Sequence, residues 1–275
     1  MIQTASPVTQ LFETLPYLVD EHVGIITHVG EFPVEPGGPD FFHFYGQACD
    51  TSAFSKQKNF GTTGGASTDR GIAMAKAIGE AVERYCSAIY DREDFPLATF
   101  ESAPFACIPP HEFALFGPAQ YARAGFPYLP FLDSTPVRWA PMTDPLTKAH
   151  WHVPASMVVM PYFYDTEAGE TPIGQPITTG LACHCSWEQA ALSAIGEVIE
   201  RDAFTITWQA NIGMPQVRLD TLSPKNREIV RRFEQTGHHV TILPCHGPWN
   251  PHDIIRSPTS VSESTRLFGC RFGGS

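Results

Sequence analysis

The sequence predicts a mixed α/β domain made of two related halves, in which strands pack against two long helices that carry Glu-x-x-Glu-Arg. Three observations support this prediction. Two segments repeat apolar residues at helical spacing, short apolar runs broken by glycine and proline precede them, and both helices contain nearly the same eight residues. We expect the domain to occupy residues 1–243, and residues 244–275 to form an irregular or disordered tail.

The first strands are predicted between residues 17 and 60. Short apolar runs at 23–29 and 41–45 are separated by residues 35–39, which read Glu-Pro-Gly-Gly-Pro. Glycine and proline between apolar runs favour turns, because glycine adopts positive φ and proline presets its own φ. These residues therefore indicate short strands and hairpins.

The first long helix is predicted over residues 67–91. Apolar side chains recur there at steps of three and four residues, and no proline interrupts them. The recurring residues are Ile72, Ala75, Ile78, Ala81, Val82, Tyr85 and Ile89.

The middle of the chain, residues 95–155, is rich in proline and aromatic residues. Loops with a few short strands are expected there, with one helical segment around 110–116. A buried strand is predicted at 153–164, because residues 157–160 form the apolar run Met-Val-Val-Met.

The second long helix is predicted to begin after Ser186, because Gln189 three residues later completes the pattern of a capping box. Beyond it we expect a shorter helix at 225–235 and a strand at 240–243. The apolar stripe of the second long helix consists of Leu192, Ile195, Val198, Ile199, Ala203 and Ile206.

The two long helices share an internal repeat. Residues 77–84 read Ala-Ile-Gly-Glu-Ala-Val-Glu-Arg, and residues 194–201 read Ala-Ile-Gly-Glu-Val-Ile-Glu-Arg. A Thr-Thr-Gly sequence precedes each octet, at 62–64 and at 178–180. Residues three and four apart share one helix face, so each helix presents two carboxylates and a guanidinium together. The groups concerned are Glu80, Glu83 and Arg84 in the first helix and Glu197, Glu200 and Arg201 in the second.

A single such helix face would be read as a solvated surface with weak local ion pairs. Two copies within otherwise apolar helices indicate helices packed in the interior, where unpaired carboxylates are costly. Paired carboxylates suit Mg²⁺, which commonly links protein oxygens to substrate phosphates, and arginine can grip a phosphate oxygen. The sequence contains neither a P-loop nor a dinucleotide-binding glycine fingerprint, so a nucleotide would bind in another way.

Composition restricts the class of partner. The formal net charge of −11 would repel a phosphate backbone, so nucleic acid is not expected as a partner. The sequence shows no signal peptide and no apolar run of membrane-spanning length, which predicts a cytoplasmic protein without a membrane partner. The seven cysteines are scattered along the chain and are expected to remain thiols.

Two stretches of the chain resemble the YcaO-domain family, in particular the cyclodehydratases that make thiazoline and oxazoline rings in ribosomal peptides. Residues 64–68 with 77–94 are similar to the family's first nucleotide motif, and residues 178–182 with 188–208 to its second. The resemblance extends over about residues 45–240 and implies ATP and Mg²⁺ as cofactors. It assigns Glu80, Glu83, Glu197 and Glu200 as metal-bridging ligands, and Arg84 and Arg201 as contacts of phosphate or of the glutamates.

The first loop departs from the pattern of many family members. It lacks a lysine between its glycines, so a phosphate contact there falls to the backbone or to Ser67. Lys76, one turn before Glu80, could reach the nucleotide or pair with that carboxylate.

The resemblance implies ATP-dependent cyclisation of Cys, Ser or Thr in a precursor peptide, which a separate leader-binding partner protein would present. Thioamide or amidine formation would use the same ATP chemistry. Family members usually continue beyond this length, so a C-terminally truncated, non-catalytic binding subunit is the other alternative. A homodimer is also open.

Overall fold

The computed structural model describes residues 6–245 of the chain. Its helices and strands are α1 (Pro7–Leu18), β1 (Ile26–Phe32), β2 (Phe42–Ala48), β3 (Thr62–Ser67), α2 (Arg70–Ser87), β4 (Leu97–Ala98), α3 (Pro118–Tyr121), β5 (Val137–Thr143), β6 (His150–Pro154), α4 (Trp187–Gln209) and α5 (Pro224–Glu234). Short 3₁₀ turns lie at Thr51–Ala53, Arg92–Asp94, Pro110–Glu112, Ala155–Met157 and Leu219–Thr221.

The first half is an antiparallel sheet in the order β1-β2-β3, covered on one face by α2. Burial alternates along β2, where Phe44, Gly46 and Ala48 are buried toward the helix. Alternation with period two is what a strand with one covered face requires. The strands predicted at 23–29 and 41–45 are therefore confirmed as β1 and β2, with β1 displaced a few residues toward the C-terminus.

Helix α2 forms because its start is capped and one of its faces is small and apolar. The Asp69 side chain accepts the backbone N–H of Ile72 at 2.8 Å, which satisfies one of the unpaired amides at the helix start. The face against the sheet consists of the buried residues Ala73, Ala77, Ile78 and Ala81. The first predicted helix is thus confirmed, and it begins three residues later than expected.

Close packing between α2 and β3 depends on Gly65. A Cβ atom added at this residue would lie 2.2 Å from the carbonyl oxygen of Ala73 and 2.7 Å from the amide nitrogen of Ala77. Only glycine lets the strand approach the helix backbone this closely. The approach brings the middle of β3 beside the middle of α2.

The central region forms a second antiparallel sheet, in the order β4-β5-β6. Its core surrounds the fully buried Trp139, whose indole N–H donates to the carbonyl oxygen of Ala98 at 3.0 Å. The prediction of loops with short strands is confirmed here. The helical segment expected around 110–116 is only the 3₁₀ turn Pro110–Glu112.

The strand predicted at 153–164 is wrong. Strand β6 ends at Pro154, and Ala155–Met157 forms a 3₁₀ turn. The amides of Val158 and Val159 both donate to the carbonyl oxygen of Ala155 within this turn. Proline cannot donate to a sheet ladder, and the apolar run that follows packs as a turn.

The second half contains α4 and α5. The Ser186 hydroxyl accepts the backbone N–H of Gln189, which confirms Ser186 as the residue that caps α4. Helix α5 confirms the helix predicted at 225–235. Residues 240–243 form no strand, although Val240 and Ile242 are buried against α5. The predicted tail at 244–275 lies almost entirely outside the described residues.

Interior packing was expected for both long helices and is found for α2 alone. Ile78 of α2 is fully buried, whereas its counterpart Ile195 in α4 is 54% exposed. In residues 6–245 no strand packs along α4 as β1–β3 pack along α2. Of the six apolar residues predicted to form a stripe on this helix, Ala203 is buried. Four others are exposed, and they are called the apolar stripe of α4 from here on: Leu192, Ile195, Val198 and Ile199.

Across the part of the chain that the structure describes, no helix is long and apolar enough to cross a bilayer.

Candidate functional site

Helix α2 brings its two carboxylates and its guanidinium together, as the spacing predicted. Arg84 donates from Nη2 to Glu80 Oε1 at 3.1 Å and from Nη1 to Glu83 Oε1. The backbone N–H of Gly64 in β3 donates to the other oxygen of Glu80 at 3.2 Å. Glu80 is therefore held between a guanidinium of its own helix and an amide of the neighbouring strand.

Helix α4 repeats this arrangement with its own residues. Arg201 donates from Nη2 to Glu197 Oε1 at 3.1 Å, and the backbone N–H of Gly180 donates to Glu197 Oε2 at 3.2 Å. Glycine suits this position because its φ is +90°, a conformation that L side chains rarely adopt. The two halves thus share contacts as well as sequence.

The backbone amides of Gly64 and Gly180 are the feature that sequence reasoning missed. The signal was present, since both belong to the Thr-Thr-Gly sequences that precede the helices. The sequence could not reveal these hydrogen bonds, because a bond from a strand or loop to a helix depends on how the two segments pack. In the first half, Thr63 also joins the strand to the helix by donating from Oγ1 to the carbonyl oxygen of Ala77 at 2.8 Å.

The pKa of Glu83 responds to charges on both helices. Desolvation raises the pKa of the Glu83 carboxyl, Arg84 lowers it, and the nearby charges of Glu197 and Glu80 raise it further. The charge of Glu197 on α4 thus acts on a carboxyl of α2. Glu200, the remaining carboxylate of the repeat, is partly buried on α4.

The two arginines differ in exposure. The Arg84 side chain is 14% exposed and the Arg201 side chain 59%. Arg201 is thus the more accessible of the two arginines, whereas the Glu197 side chain, at 24% exposure, is more buried than that of Glu80 at 37%.

Ser67 and Lys76 lie at the junction between β3 and α2. The Ser67 hydroxyl accepts the backbone N–H of Asp69 at 3.2 Å, and Lys76 Nζ donates to the carbonyl oxygen of Ala66 at 3.0 Å. Both side chains thus hold the end of β3 against the start of α2.

The donor set fits magnesium shared with a phosphate better than a metal held by protein alone. Within residues 6–245, no group of three or more His, Cys, Asp or Glu side chains is arranged to hold a metal ion. Mg²⁺ commonly takes one or two protein carboxylates and completes its coordination with water and substrate phosphates. The oxygen-only set on α2 and α4 agrees with that mode of binding, and the arginines beside it could contact phosphate.

Comparison with known proteins identifies a family. The family model described as YcaO cyclodehydratase, ATP- and Mg²⁺-binding, matches residues 64–251, which is more than half of the chain. ATP and Mg²⁺ are the cofactors in that description. The match covers both Thr-Thr-Gly glycines and all four glutamates. Comparison with curated proteins gives no match.

Solved structures share the fold at low sequence identity. A heterocyclase in complex with substrate and cofactor has a TM-score of 0.70 at 19% identity, covering 86% of this chain and 33% of that chain. YcaO from Methanopyrus kandleri, bound with AMPPCP and Mg²⁺, has a TM-score of 0.57 at 20% identity, covering 86% and 54%. The heterocyclase TruD has a TM-score of 0.51 at 20% identity, covering 64% and 28%. This chain thus spans about a third of the length of the first of these structures and about half of the length of the second.

Proposed function

Because the chain belongs to the YcaO family, we propose that it binds Mg-ATP at the paired carboxylates of α2 and α4 and activates a backbone amide of a peptide substrate. The observation that carries this proposal is the duplicated contact set, in which a glutamate of each helix is held by an arginine and a glycine amide. The electrostatic influence of Glu197 on Glu83 supports a single site shared by both helices.

In this proposal each residue of the repeat has a defined role. Glu80, Glu83, Glu197 and Glu200 bridge magnesium, and Arg84 and Arg201 contact phosphate oxygens. Ser67 at the end of β3 and Lys76 on α2 contact the nucleotide in the first half of the site. The glycine amides of Gly64 and Gly180 orient Glu80 and Glu197, because each occupies one carboxylate oxygen.

The reaction proposed is cyclodehydration of Cys, Ser or Thr to thiazoline or oxazoline in a ribosomally made precursor peptide. The side-chain sulfur or oxygen loses its proton and bonds to the carbon of the preceding backbone carbonyl. The oxygen of that carbonyl then takes the γ-phosphoryl group of ATP, and the bond between this group and ADP breaks. The C–O bond then breaks, phosphate leaves, and the amide nitrogen loses its proton as the C=N bond forms. The residues of the site position the groups and neutralise charge, and no protein nucleophile is required.

Calorimetric titration of Mg-ATP into the purified chain tests the site. We expect Glu80→Gln and Glu197→Gln each to weaken binding at least about tenfold, because each removes a charged metal ligand and leaves an arginine and a glycine amide without their charged acceptor. The matched control is Glu228→Gln on α5, where a glutamate also pairs with arginines three and four residues later but accepts no glycine amide in a duplicated site. Unchanged binding in both repeat variants would refute the two-helix site.

Two related reactions remain alternatives on the same ATP chemistry. A thioamide would result if sulfide supplied the nucleophile, and an amidine if an amine did. The mass of the modified peptide separates the azoline from the thioamide, since ring formation removes water whereas a thioamide exchanges oxygen for sulfur.

A non-catalytic binding subunit is favoured by a separate observation. Arg201 and the apolar stripe of α4 are exposed, so they offer a surface on which a peptide or partner protein could bind. Binding of a peptide or partner without ATP turnover would identify this function. In either case we propose a separate leader-binding protein as a partner, and the chain itself could form a homodimer.

A further inference from the structure

A groove opens beside Glu83, between the end of α2 and the start of α4. Its volume is about 440 Å³, and one of its walls contains Glu83 itself. The remaining wall is mainly apolar and includes Val82, Val158, Leu181, Trp187 and Ala190. The roles proposed for the repeat use Glu83 and none of these neighbours.

Both serine hydroxyls of the wall and one ring nitrogen of its histidine make hydrogen bonds within the protein. The Ser87 hydroxyl donates to the carbonyl oxygen of Met160 at 2.8 Å, and the Ser186 hydroxyl caps α4. His184 accepts the backbone N–H of Cys185 at Nδ1, at 2.9 Å. A ligand in the groove would therefore meet mostly apolar surface, and a nucleobase would find few partners for its hydrogen-bonding edge.

Cysteine side chains complete the wall without adding charge. Cys86 and Cys183 both line the groove. Desolvation raises the pKa of the Cys183 thiol to about 11, and it raises that of Cys86 as well. Both sulfurs are thus uncharged near neutral pH, and an uncharged cysteine behaves as a small apolar side chain.

Because the groove shares Glu83 with the carboxylate site, we propose that it binds an aliphatic or aromatic side chain of the peptide substrate, on the residue that contributes the reacting carbonyl. This inference rests on the proposed function. A carbonyl oxygen lies about 2.4 Å from the Cα of its own residue, so a side chain seated in the groove holds that oxygen near the groove's edge. The groove is large enough for any single side chain, so the chain would prefer substrates with a large apolar residue before the cyclised one.

Two synthetic peptides test the preference, acetyl-Gly-Leu-Cys-Gly-amide and acetyl-Gly-Gly-Cys-Gly-amide. Each is titrated against the full chain saturated with Mg-AMPPCP, and binding is followed by saturation-transfer NMR. We expect the leucine peptide to bind roughly tenfold more tightly, which corresponds to partial burial of its side chain. The substitution Val158→Trp should fill the groove and remove this difference.

The matched control is Leu192→Ala, an exposed apolar residue of α4 that does not line the groove, and it should leave the preference unchanged. Circular dichroism checks that each variant folds. If Val158→Trp does not fold, Trp187→Ala serves instead, because Trp187 is exposed and its removal opens the groove wall.

Equal affinity for the two peptides, or no binding of either to the loaded protein, would overturn the groove assignment while leaving the nucleotide site intact. Failure of the folded wild type to bind Mg-AMPPCP would instead refute the proposed function, and the role of the groove with it.

Discussion

At the scale of single residues, glycines decide how the first half of the site is assembled. Gly64 and Gly65 are neighbours in β3 and have different surroundings. A Cβ at Gly65 would lie 2.2 Å from a helix carbonyl oxygen, whereas a Cβ at Gly64 would meet only the carbonyl oxygen of Phe44, at 3.8 Å. Gly65 therefore sets the distance between strand and helix, and Gly64 uses its amide to hold Glu80.

These surroundings predict opposite outcomes for two adjacent substitutions. Gly65→Ala should destabilise the chain by about 3 kcal/mol, because the added methyl group meets backbone atoms that cannot rotate away. Gly64→Ala should cost less than about 1 kcal/mol and keep the amide bond to Glu80. Urea unfolding followed by circular dichroism measures both, and similar values for the two variants would contradict the packing described here.

At the scale of elements, α2 and α4 are two copies of one helix in different environments. Asp69 and Ser186 cap equivalent positions, and both helices present the same carboxylates and arginine. The faces that carry Ile78 and Ile195 differ, because a sheet covers only the first. Local sequence is equivalent in the two helices, so the difference in burial comes from their packing.

The repeat therefore allows one substitution to be compared in two environments. Ile78→Ala should cost about 3 kcal/mol, since it leaves a cavity between α2 and the sheet. Ile195→Ala should change stability by less than about 1 kcal/mol, because the side chain is already half exposed. Chemical denaturation of both variants is the measurement. An equal loss of stability would mean that α4 is covered in solution.

At the scale of the whole molecule, the apolar stripe of α4 is a row of exposed apolar side chains on one helix. Its four apolar side chains are exposed along a helix that also carries half of the site. Contiguous apolar surface of this kind tends to become covered through association. In the first half the equivalent surface is covered by β1–β3 of the same chain.

We expect the isolated chain to self-associate through this stripe as concentration rises. The double substitution Ile195→Lys with Val198→Lys should weaken association at least about tenfold, because it places two charges in an apolar contact. Leu146→Lys is the control, since Leu146 is also exposed but lies outside α4. Sedimentation velocity over a range of concentrations follows the association, and a wild type that stays monomeric throughout would contradict the expectation.

The sequence by itself determined the two long helices, the residue that caps α4, and the grouping of Glu80, Glu83 and Arg84 with their counterparts on α4. These features depend on spacing within one helix, and helical periodicity is a local property. The strand at 153–164 failed because the apolar run at 157–160 fits a turn as well as a strand, and packing decided between them.

Only the tertiary structure decided three further features: the amides of Gly64 and Gly180 that hold the glutamates, the effect of Glu197 on the pKa of Glu83, and the groove beside Glu83. It also showed that α4 is exposed where α2 is buried. Each of these depends on contacts between segments distant in the chain. Such contacts are set by how helices and strands pack, so the same octet can lie in a core in one half and face solvent in the other.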